Sequence, residues 1–455
     1  MPGALMQLVA YGAQDIYITG NPQITFFKIV YRRHTNFAYE TIEQTFQGKS
    51  VDFGTINNCA TISRNGDLIQ QMYLEIVMPN LTVYNNSSVD VTSTATWTYG
   101  VGNALISQAW IQIGGQTIDT HYGEWMNIWN ELTLPDNKRN LYDSMVGNMV
   151  YVAADAQKTV MTVNEQYRLY IPLQFWFNRN SGLALPLIAL QYHDVQLWLN
   201  IRAIDELINS ETGVSYVINT NPQIKLWVNY VFLDTDERRR FSQATHEYLI
   251  EQVQKTDDKV VNAGTVSTSF TLNIYHPVKE INWAFIDFIH ATKGNYNTGN
   301  RWLHFGKYFG AGLDVDTNRD VYMQDMFGTA KLLFNGQDRF IEQPADYFRR
   351  IQHFEHHTNY PRTPLLPDCT QNVTRNGFRQ YIYNYSFAIS PEEHQPSGTC
   401  NFSRLENSSI LFKFIDPITG NNLYTINHDY YIKIFATNYN ILRIISGMGG
   451  LAYSS

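Results

Sequence analysis

Two hexapeptides follow the same plan: Ile111-Gln112-Ile113-Gly114-Gly115-Gln116 in the first half of the chain, and Leu332-Leu333-Phe334-Asn335-Gly336-Gln337 in the second. In each, apolar residues lead into a Gly-Gly or Asn-Gly pair, which is typical of a β-strand that ends in a tight turn. The two copies lie 221 residues apart. Because that spacing is far longer than a small structural repeat, the sequence indicates two similar domains in tandem.

A helical pattern follows each of these turns. The first has an apolar face at helical spacing and stops at Pro135: Trp125, Ile128, Trp129 and Leu132. The second begins at Pro344, and its predicted apolar face is Tyr347, Ile351 and Phe354. Residues three or four apart lie on one side of a helix, so we expect an amphipathic helix after the hairpin of each half.

Two further pairs of segments extend the repeat. Residues 195–201 and 408–414 both alternate in the manner of a strand with one buried face. Ile224-Lys225-Leu226-Trp227 matches Ile432-Lys433-Ile434-Phe435 at an offset of 208 residues. We therefore predict an all-β chain of two antiparallel sandwiches with short helices in loops. Its predicted parts are an N-terminal arm, a first domain and a second domain: residues 1–25, 26–236 and 237–455.

The composition favours burial of surface against partners. Charged residues are 16 % of the 455 residues, against a typical ~25 %. Aromatic residues reach 14 % and include 30 Tyr, which suits sandwich cores and protein interfaces because one end of the ring is apolar and the other forms hydrogen bonds. The net charge of −8 without a basic run argues against direct nucleic-acid binding.

The sequence also indicates the cellular compartment in which the chain folds. Three cysteines are too few for a disulfide framework in a chain of this length, which favours folding in the cytoplasm. No stretch approaches the ~20 apolar residues of a membrane span. The N-terminus lacks the basic region of a secretory signal. We therefore expect a soluble chain without a secretory signal.

No motif indicates catalysis, a metal or a cofactor. A two-domain cupin requires a His-x-His pair, and the twelve His residues include none. His353 and His357 lie four apart and could share a metal, but without a third ligand a polar helix face is the preferred interpretation. Residues 314–325 space their oxygens like a calcium loop, yet Arg319 stands where the turn needs Gly, so a solvated loop is preferred. The carboxylate pairs at 234/236 and 392/393 have no apolar pocket suggested around them.

Candidate glycosylation sites lie in a polar segment of the first half. Asn80, Asn85 and Asn86 each begin an Asn-x-Ser/Thr sequence in or near a stretch rich in Ser, Thr and Asn. Four more such sequences, at positions 372, 384, 401 and 407, are best interpreted as chance matches in an Asn-rich chain.

Segments along nearly the whole chain resemble one protein family. The first is Leu8-Val9-Ala10-Tyr11-Gly12-Ala13-Gln14-Asp15. The others are residues 19–28, 62–67, 183–193, 246–252, 335–340, 395–404 and 438–443. Together they closely resemble the major capsid proteins of large icosahedral nucleocytoplasmic DNA viruses, above all those of the chlorovirus group.

This resemblance implies a double jelly roll, two tandem eight-stranded antiparallel sandwiches, and a homotrimeric capsomer of pseudo-hexagonal outline that tiles the outer shell of a double-stranded DNA virus. Implied partners are neighbouring capsomers, minor capsid and penton proteins, and the internal viral membrane. The implied location is the virion, after synthesis and assembly in the host cytoplasm. The arm is implied to lie on the inner side of the shell, with Leu8, Tyr11, Gln14 and Asp15 as its assembly residues.

Two alternatives of other classes stay open. A double β-sandwich also suits a carbohydrate-binding or glycan-processing protein, because a fold does not determine a function. A bicupin-type metalloenzyme is the third interpretation, and the missing His-x-His pair argues against it. A carbohydrate-binding protein would be monomeric, and metal analysis would detect a bicupin.

Overall fold

The structure is a computed structural model that describes residues 3–23, 26, 31–48, 51–85, 88–89, 95–148, 163, 166–209, 214–288, 291, 300–305, 325–361, 381–415 and 429–453. By its internal contacts the chain divides into two compact units, residues 1–37 and residues 38–455. Within the first unit, α1 (Gly3–Val9) and α2 (Ile16–Thr19) are short helices, and none of their residues is buried.

The first half of the chain contains fourteen strands in the described part, many of them short. They are β1 (Phe37–Gln44), β2 (Asn58–Thr61), β3 (Leu68–Val77), β4 (Leu81–Asn85), β5 (Ser88–Val89), β6 (Thr96–Trp97), β7 (Ile106–Ile113), β8 (Gln116–His121), β9 (Arg168–Pro172), β10 (Leu185–Pro186), β11 (Val195–Ile201), β12 (Ile208–Asn209), β13 (Val214–Ile218) and β14 (Gln223–Leu233). The helices are α3 (Val101–Leu105), α4 (Gly123–Thr133), α5 (Asp136–Val146) and α6 (Trp176–Arg179), with 3-10 turns at Ser181–Leu183 and Ile204–Glu206.

A charged helix, α7 (Thr235–Gln243), links this half to the second. The second half contains β15 (His246–Lys255), β16 (Lys259–Val261), β17 (Ser267–Thr271), β18 (Pro277–Asp287), β19 (Thr329–Phe334), β20 (Gln337–Asp338), β21 (Gln343–Pro344), β22 (Ile382–Ser386), β23 (Cys400–Asn401), β24 (Ser408–Lys413), β25 (Tyr430–Ile445) and β26 (Met448–Leu451). It also contains a π-helical turn at Tyr347–Ile351, α8 (Gln352–His356) and a 3-10 turn at Phe402–Arg404.

The two halves share one strand order. In the first, sheet 1A orders β1-β14-β3, with β9 and β10 both on the far side of β3, and sheet 1B orders β2-β11-β7-β8. In the second, sheet 2A orders β15-β25-β18-β22 and sheet 2B orders β17-β24-β19-β20. If β9 and β10 are taken as one position, each described half has eight principal strand positions, as a jelly roll requires. The predicted duplication and double-sandwich fold are confirmed.

The two hexapeptides form the predicted hairpins. β7 pairs with β8 around Gly114 and Gly115, whose φ angles are 57° and 82°. β19 pairs with β20 around Asn335 and Gly336, whose φ angles are 50° and 81°. Positive φ at both central residues is the geometry that favours Asn-Gly and Gly-Gly in two-residue hairpins, because it matches the twist of the flanking strands.

The first predicted helix is confirmed, and the second differs in which side it buries. Within α4 the predicted apolar face is buried. After the second hairpin, by contrast, the buried side chains are Phe348, Gln352 and His353, while Ile351 is 47 % and Phe354 90 % exposed. The predicted face was therefore wrong. A π-helical turn contains one residue more than an α-helical turn, so the residues after it are rotated away from α-helical spacing.

The link between the halves is a capped helix. Asp234 Oδ1 accepts a hydrogen bond from the backbone N–H of Thr235 at 2.8 Å, at the start of α7. The predicted domain boundary near residue 236 stays a prediction. None of the helices in the described ranges is long and apolar enough to cross a membrane.

Candidate functional site

The two halves meet where the first-half hairpin and α4 cover the outer face of sheet 2A. The ring of Tyr122, just before α4, lies 6.1 Å from that of Phe435 in β25. Val253 N donates to Asp119 Oδ1 at 2.9 Å, and the Gln252 side chain donates to the Ile118 carbonyl. These contacts join strand β8 to strand β15 across the interface.

Sheet 2A is consequently buried on both faces. In β18, Trp283 and Phe285 belong to the core of the second half, whereas Ala284 and Ile286 belong to the core that fills the first half. Successive strand residues point to opposite faces of a sheet. β18 is buried along ten of its eleven residues, and these include the polar residues Lys279, Glu280 and Asn282 as well as the apolar ones.

A buried ion cluster ties α4 to this sheet. The Glu124 carboxylate lies 2.8 Å from Lys433 Nζ in β25 and 2.9 Å from Arg202 Nη2, which follows β11. Burial by itself would raise the pKa of Glu124, but the two cations outweigh it and the pKa lies well below its usual range. Charges of this kind are tolerated inside a protein only when they are paired.

A second cluster surrounds Trp129 of α4. Glu251 in β15 is paired with Arg179 Nη1 at 2.9 Å and with Lys279 Nζ at 2.8 Å. The Arg179 guanidinium lies 4.6 Å, and the Lys279 ammonium 5.7 Å, from the centroid of the Trp129 ring. These two cations lower the pKa of Glu251 against the raising effect of burial. The face of α4 therefore offers a negative group and an aromatic ring to cations of the other half.

The sequence prediction missed both clusters. Their members come from distant parts of the chain, and the ion pairs between the halves could not be read from local spacing. One signal was present in the repeat. Lys433 stands inside the apolar run Ile432-Lys433-Ile434-Phe435 of a central strand. A lysine in such a position indicates a buried partner, because an unpaired charge there would be costly.

His353 and His357 are buried together and do not form the solvent-facing polar helix surface that was preferred from the sequence. Their rings lie 5.7 Å apart. His357 Nδ1 is 2.9 Å from Glu392, and its Nε2 is 3.4 Å from Glu280. Burial favours the neutral form of His357, but the two carboxylates outweigh it and raise the pKa, whereas burial followed by the charge of His357 lowers the pKa of His353.

The other candidate metal ligands from the sequence analysis do not form a metal site in the described residues, and Asp325 is part of an ion pair. In the described part of the chain no three His, Cys, Asp or Glu side chains are grouped to hold a metal. Asp325 is paired with the Arg349 guanidinium, at 3.1 Å between Oδ2 and Nη2. The remainder of the predicted oxygen-rich loop, residues 314–320, lies outside the described residues.

A cleft of about 560 Å³ beside α7 has charged groups in its lining. Of these, His246 bonds to the Phe241 carbonyl at 2.7 Å, and Glu247 pairs with Arg443 at 2.8 Å. Two titratable groups of the cleft, His246 and Glu247, are therefore held by contacts with neighbouring residues.

The candidate glycosylation sites are only partly described. Asn80 is half-buried, and its side-chain oxygen accepts from Thr220 Oγ1 at 3.4 Å. Asn85 is the last residue of β4. Asn86 lies outside the described residues. Their modification stays a prediction.

The four residues predicted for the arm are grouped around a turn between α1 and α2. Leu8 and Tyr11 are 78 % and 57 % exposed, and Gln14 is exposed as well. Asp15 Oδ2 accepts from Gly12 N at 2.7 Å, and the Tyr11 hydroxyl bonds to Thr19 Oγ1 at 3.1 Å. The assembly role of these residues stays a prediction.

Comparison with protein families finds two models that together span most of the chain. The model described as "Major capsid protein N-terminus" matches residues 25–234. The model described as "Large eukaryotic DNA virus major capsid protein" matches residues 237–366 and 368–450.

Individual relatives cover the whole chain. The major capsid protein of Pyramimonas orientalis virus is 43 % identical, and that of Paramecium bursaria Chlorella virus 1 is 38 % identical, each over the full length of both chains. Among solved structures, a quasi-atomic model of the PBCV-1 virus capsid matches with a TM-score of 0.71 and 33 % identity, over 95 % of this chain and all of that one. The Faustovirus major capsid protein shares the fold at a TM-score of 0.68 and 13 % identity, over 97 % of this chain and 96 % of that one.

Proposed function

The chain belongs to the major capsid proteins of large eukaryotic DNA viruses, and we propose that it works as a homotrimer of pseudo-hexagonal outline. Its function is to build the capsid of the virion. The observation that carries the trimer is the duplicated strand order, sheets 1A and 1B followed by sheets 2A and 2B. Two similar sandwiches in each of three chains give six similar lobes around one axis, which can tile a near-hexagonal lattice.

The proposed role is structural, with no turnover. The charged groups that might have served catalysis instead form ion pairs, such as Glu124 with Lys433 and His357 with Glu392. Relatives described as capsid proteins support the same reading and disfavour the carbohydrate-binding and bicupin alternatives. We propose synthesis and capsomer assembly in the host cytoplasm.

The proposed partners beyond the capsid lattice are minor capsid and penton proteins and the internal viral membrane. The arm supports this proposal, because α1 and α2 bury none of their residues and expose apolar side chains such as Leu8 and Tyr11. A segment of that kind gains order when it binds a partner. Direct binding to the genome is not proposed, since the net charge is −8.

The test is the mass of the purified protein in solution, followed by negative-stain imaging of the same sample. A species of about 158 kDa, three times the chain mass of 52.6 kDa, with a hexagonal outline is the expected result. A monodisperse monomer that persists at high concentration would contradict the trimer.

A further inference from the structure

We propose that the N-terminal unit, residues 1–37, binds directly to a lipid surface that carries anionic headgroups. Residues 5–18 enter the boundary between headgroups and acyl chains, and Arg32 and Arg33 bind the headgroups. The inference rests on the proposed membrane partner, and it specifies the lipid chemistry and the residues that recognise it.

The apolar surface of the two N-terminal helices is exposed. Of the fourteen residues from 5 to 18, eight are large hydrophobic or aromatic residues that the structure leaves exposed. They are Leu5, Met6, Leu8, Val9, Tyr11, Ile16, Tyr17 and Ile18, and the last two are 92 % and 83 % exposed. A large exposed apolar patch marks a surface that binds a protein or a membrane.

The apolar side chains of α1 share one side of the helix. Because successive residues are turned by about 100°, Leu5, Leu8 and Val9 fall on one face with Met6 at its edge, and uncharged residues fill the rest of the helix. The helix has only 7 residues, whereas an isolated helix needs about 12–15 to be even marginally stable in water. Its apolar face therefore stabilises it most when that face is buried against a partner.

The charge of this unit is opposite in sign to that of the rest of the chain. Residues 1–37 contain Lys28, Arg32 and Arg33 but one acid, Asp15, which gives a formal charge of +2. Since the whole chain carries −8, the remaining residues carry −10. Arg32 and Arg33 are exposed, and no acidic residue occurs between Asp15 and Glu40. The unit is therefore complementary to a negatively charged partner.

The single acid of the unit is engaged with the backbone. Asp15 Oδ2 accepts a hydrogen bond from Gly12 N at 2.7 Å, and Asp15 is half-buried while the other described residues of the unit are exposed. It lies in the turn between α1 and α2, and neither helix contains a charged residue. Both helices can therefore enter an apolar medium without carrying a charge into it.

The separation of apolar and basic residues favours a lipid surface over an acidic protein. The apolar residues end at Ile18, and the exposed basic pair follows fourteen positions later at Arg32. A bilayer has the same separation, because its hydrocarbon lies beneath a layer of charged headgroups. Stable anchoring at a membrane generally takes two such signals, an apolar group and a basic cluster.

Tyrosines occur where the two parts of the unit adjoin. Tyr17 is 92 % and Tyr31 83 % exposed, and Tyr31 directly precedes the basic pair. Tyr is enriched at the level of lipid headgroups, because its ring is apolar and its hydroxyl forms hydrogen bonds. The order of apolar, aromatic and basic residues thus follows the order of the layers in a bilayer.

The first test is flotation of the full-length protein with vesicles. One vesicle preparation is pure phosphatidylcholine, and the other contains about 30 % phosphatidylserine as the anionic lipid. We expect strong binding to the anionic vesicles at 0.1 M salt and weak binding to the neutral ones. At 1 M salt the binding to both should become equally weak, because the screening length falls from about 10 Å to about 3 Å. A chain that does not float with the anionic vesicles would overturn the proposal and assign the arm to a protein partner.

The second test removes the basic pair. Each basic residue near an anionic surface strengthens binding about fivefold, so Arg32→Gln/Arg33→Gln should weaken binding to the anionic vesicles about 30-fold. The matched control is Arg239→Gln/Arg240→Gln, which removes two exposed arginines of α7 and should bind like the wild type. Equal losses in the two variants would refute recognition by the N-terminal unit.

The third test removes apolar side chains without a change in charge. Leu8→Ser/Ile18→Ser should lose binding to the anionic vesicles, whereas the control Val217→Ser/Ile218→Ser, at two exposed apolar positions of β13, should retain it. Full binding by Leu8→Ser/Ile18→Ser would overturn the insertion of the helices.

Light scattering of the same samples separates this inference from the proposed trimer. We expect trimers of the wild type and of every variant, because the substitutions lie on exposed positions. A trimeric wild type that does not bind anionic vesicles would refute the lipid surface alone. A monomeric wild type that binds them would refute the trimer and leave the lipid surface supported.

Discussion

Lys433 and Glu124 lie 309 positions apart in the sequence, and their charged groups are 2.8 Å apart in the structure, inside the interface between the two halves. Arg202 approaches the same carboxylate at 2.9 Å. The pair stands where the first sandwich covers the outer sheet of the second, so it reports directly on how the halves are held together.

Replacement of Glu124 should destabilise the protein severely. Glu124→Gln leaves the buried cations of Lys433 and Arg202 without their carboxylate, and we expect the free energy of unfolding to fall by about 3–5 kcal/mol. The measurement is urea unfolding followed by tryptophan fluorescence. The control is Asp194→Asn, which breaks an exposed pair with Arg64 and should cost less than about 1 kcal/mol. Equal effects of the two variants would show that the buried cluster contributes no more to the free energy of unfolding than an exposed ion pair does.

The same clusters predict a loss of stability in acid. The pKa values of Glu124 and Glu251 are lowered in the folded state, so their contribution is complete above the ordinary glutamate pKa of about 4.3 and is lost as pH falls through the lowered values. We expect the unfolding midpoint of the wild type to drop as pH falls from about 5 to about 2. The drop should be smaller for the double variant Glu124→Gln/Glu251→Gln. If the unfolding midpoints of the variant and the wild type fell in parallel with pH, Glu124 and Glu251 would not be the groups responsible.

The raised pKa of His357 predicts a loss of stability as pH rises. Its pKa is raised by Glu392 and Glu280, so its contribution is complete below about pH 6.5 and is lost as pH rises through the raised pKa. The pKa of the buried His353 is lowered, so its effect has the opposite sign and fades as pH rises past the ordinary histidine pKa of about 6.5. We expect stability to decline between pH 6.5 and 9 in the wild type and in the exposed-site control His34→Gln, but not in His357→Gln. If stability still declined in His357→Gln, another titratable group would be its cause.

In the β7–β8 hairpin, we expect substitutions of the adjacent glycines Gly114 and Gly115 to differ in their effect on stability. Gly114 and Gly115 both have positive φ, so a side chain at either costs about 1–3 kcal/mol of backbone strain. A Cβ at Gly114 would also lie 2.4 Å from Nδ1 of His193, whereas a Cβ at Gly115 would meet open space. Thermal unfolding should therefore show Gly114→Ala to be clearly less stable than Gly115→Ala. Similar melting temperatures would mean that the His193 ring moves aside freely.

Deletion of the N-terminal arm tests whether the arm is needed for trimer formation or only for shell assembly. Deletion of residues 1–25 should leave a trimer in solution, because the two helices of the arm bury none of their residues. Incorporation into particles should fall. Light scattering and particle counts by electron microscopy measure the two effects, and a truncated chain that no longer forms trimers would refute an assembly-only role.

Local chemistry predicted much of the fold. The turn residues of both hairpins, the alternation at residues 195–201 and the buried face of α4 all follow from spacing and backbone geometry. The second helix departed from its predicted face because a π-helical turn at Tyr347–Ile351 changes the spacing, and no residue there marks such a turn in advance. The ion clusters could not be predicted, since Glu251 meets Arg179 only once the two halves have folded against each other.

The burial of sheet 2A on both faces has a consequence for synthesis. The ribosome completes the first sandwich before β15 emerges, and N-terminal domains generally fold first. When β18 and β25 appear, α4 and the β7–β8 hairpin are already in place as a template on which the outer face of the new sheet can collapse. A chain with the two halves in reverse order would have to expose Ile286 and Phe435 to water until the first half was made. Synthesis in the natural order therefore shortens the time for which the apolar outer face of sheet 2A is exposed.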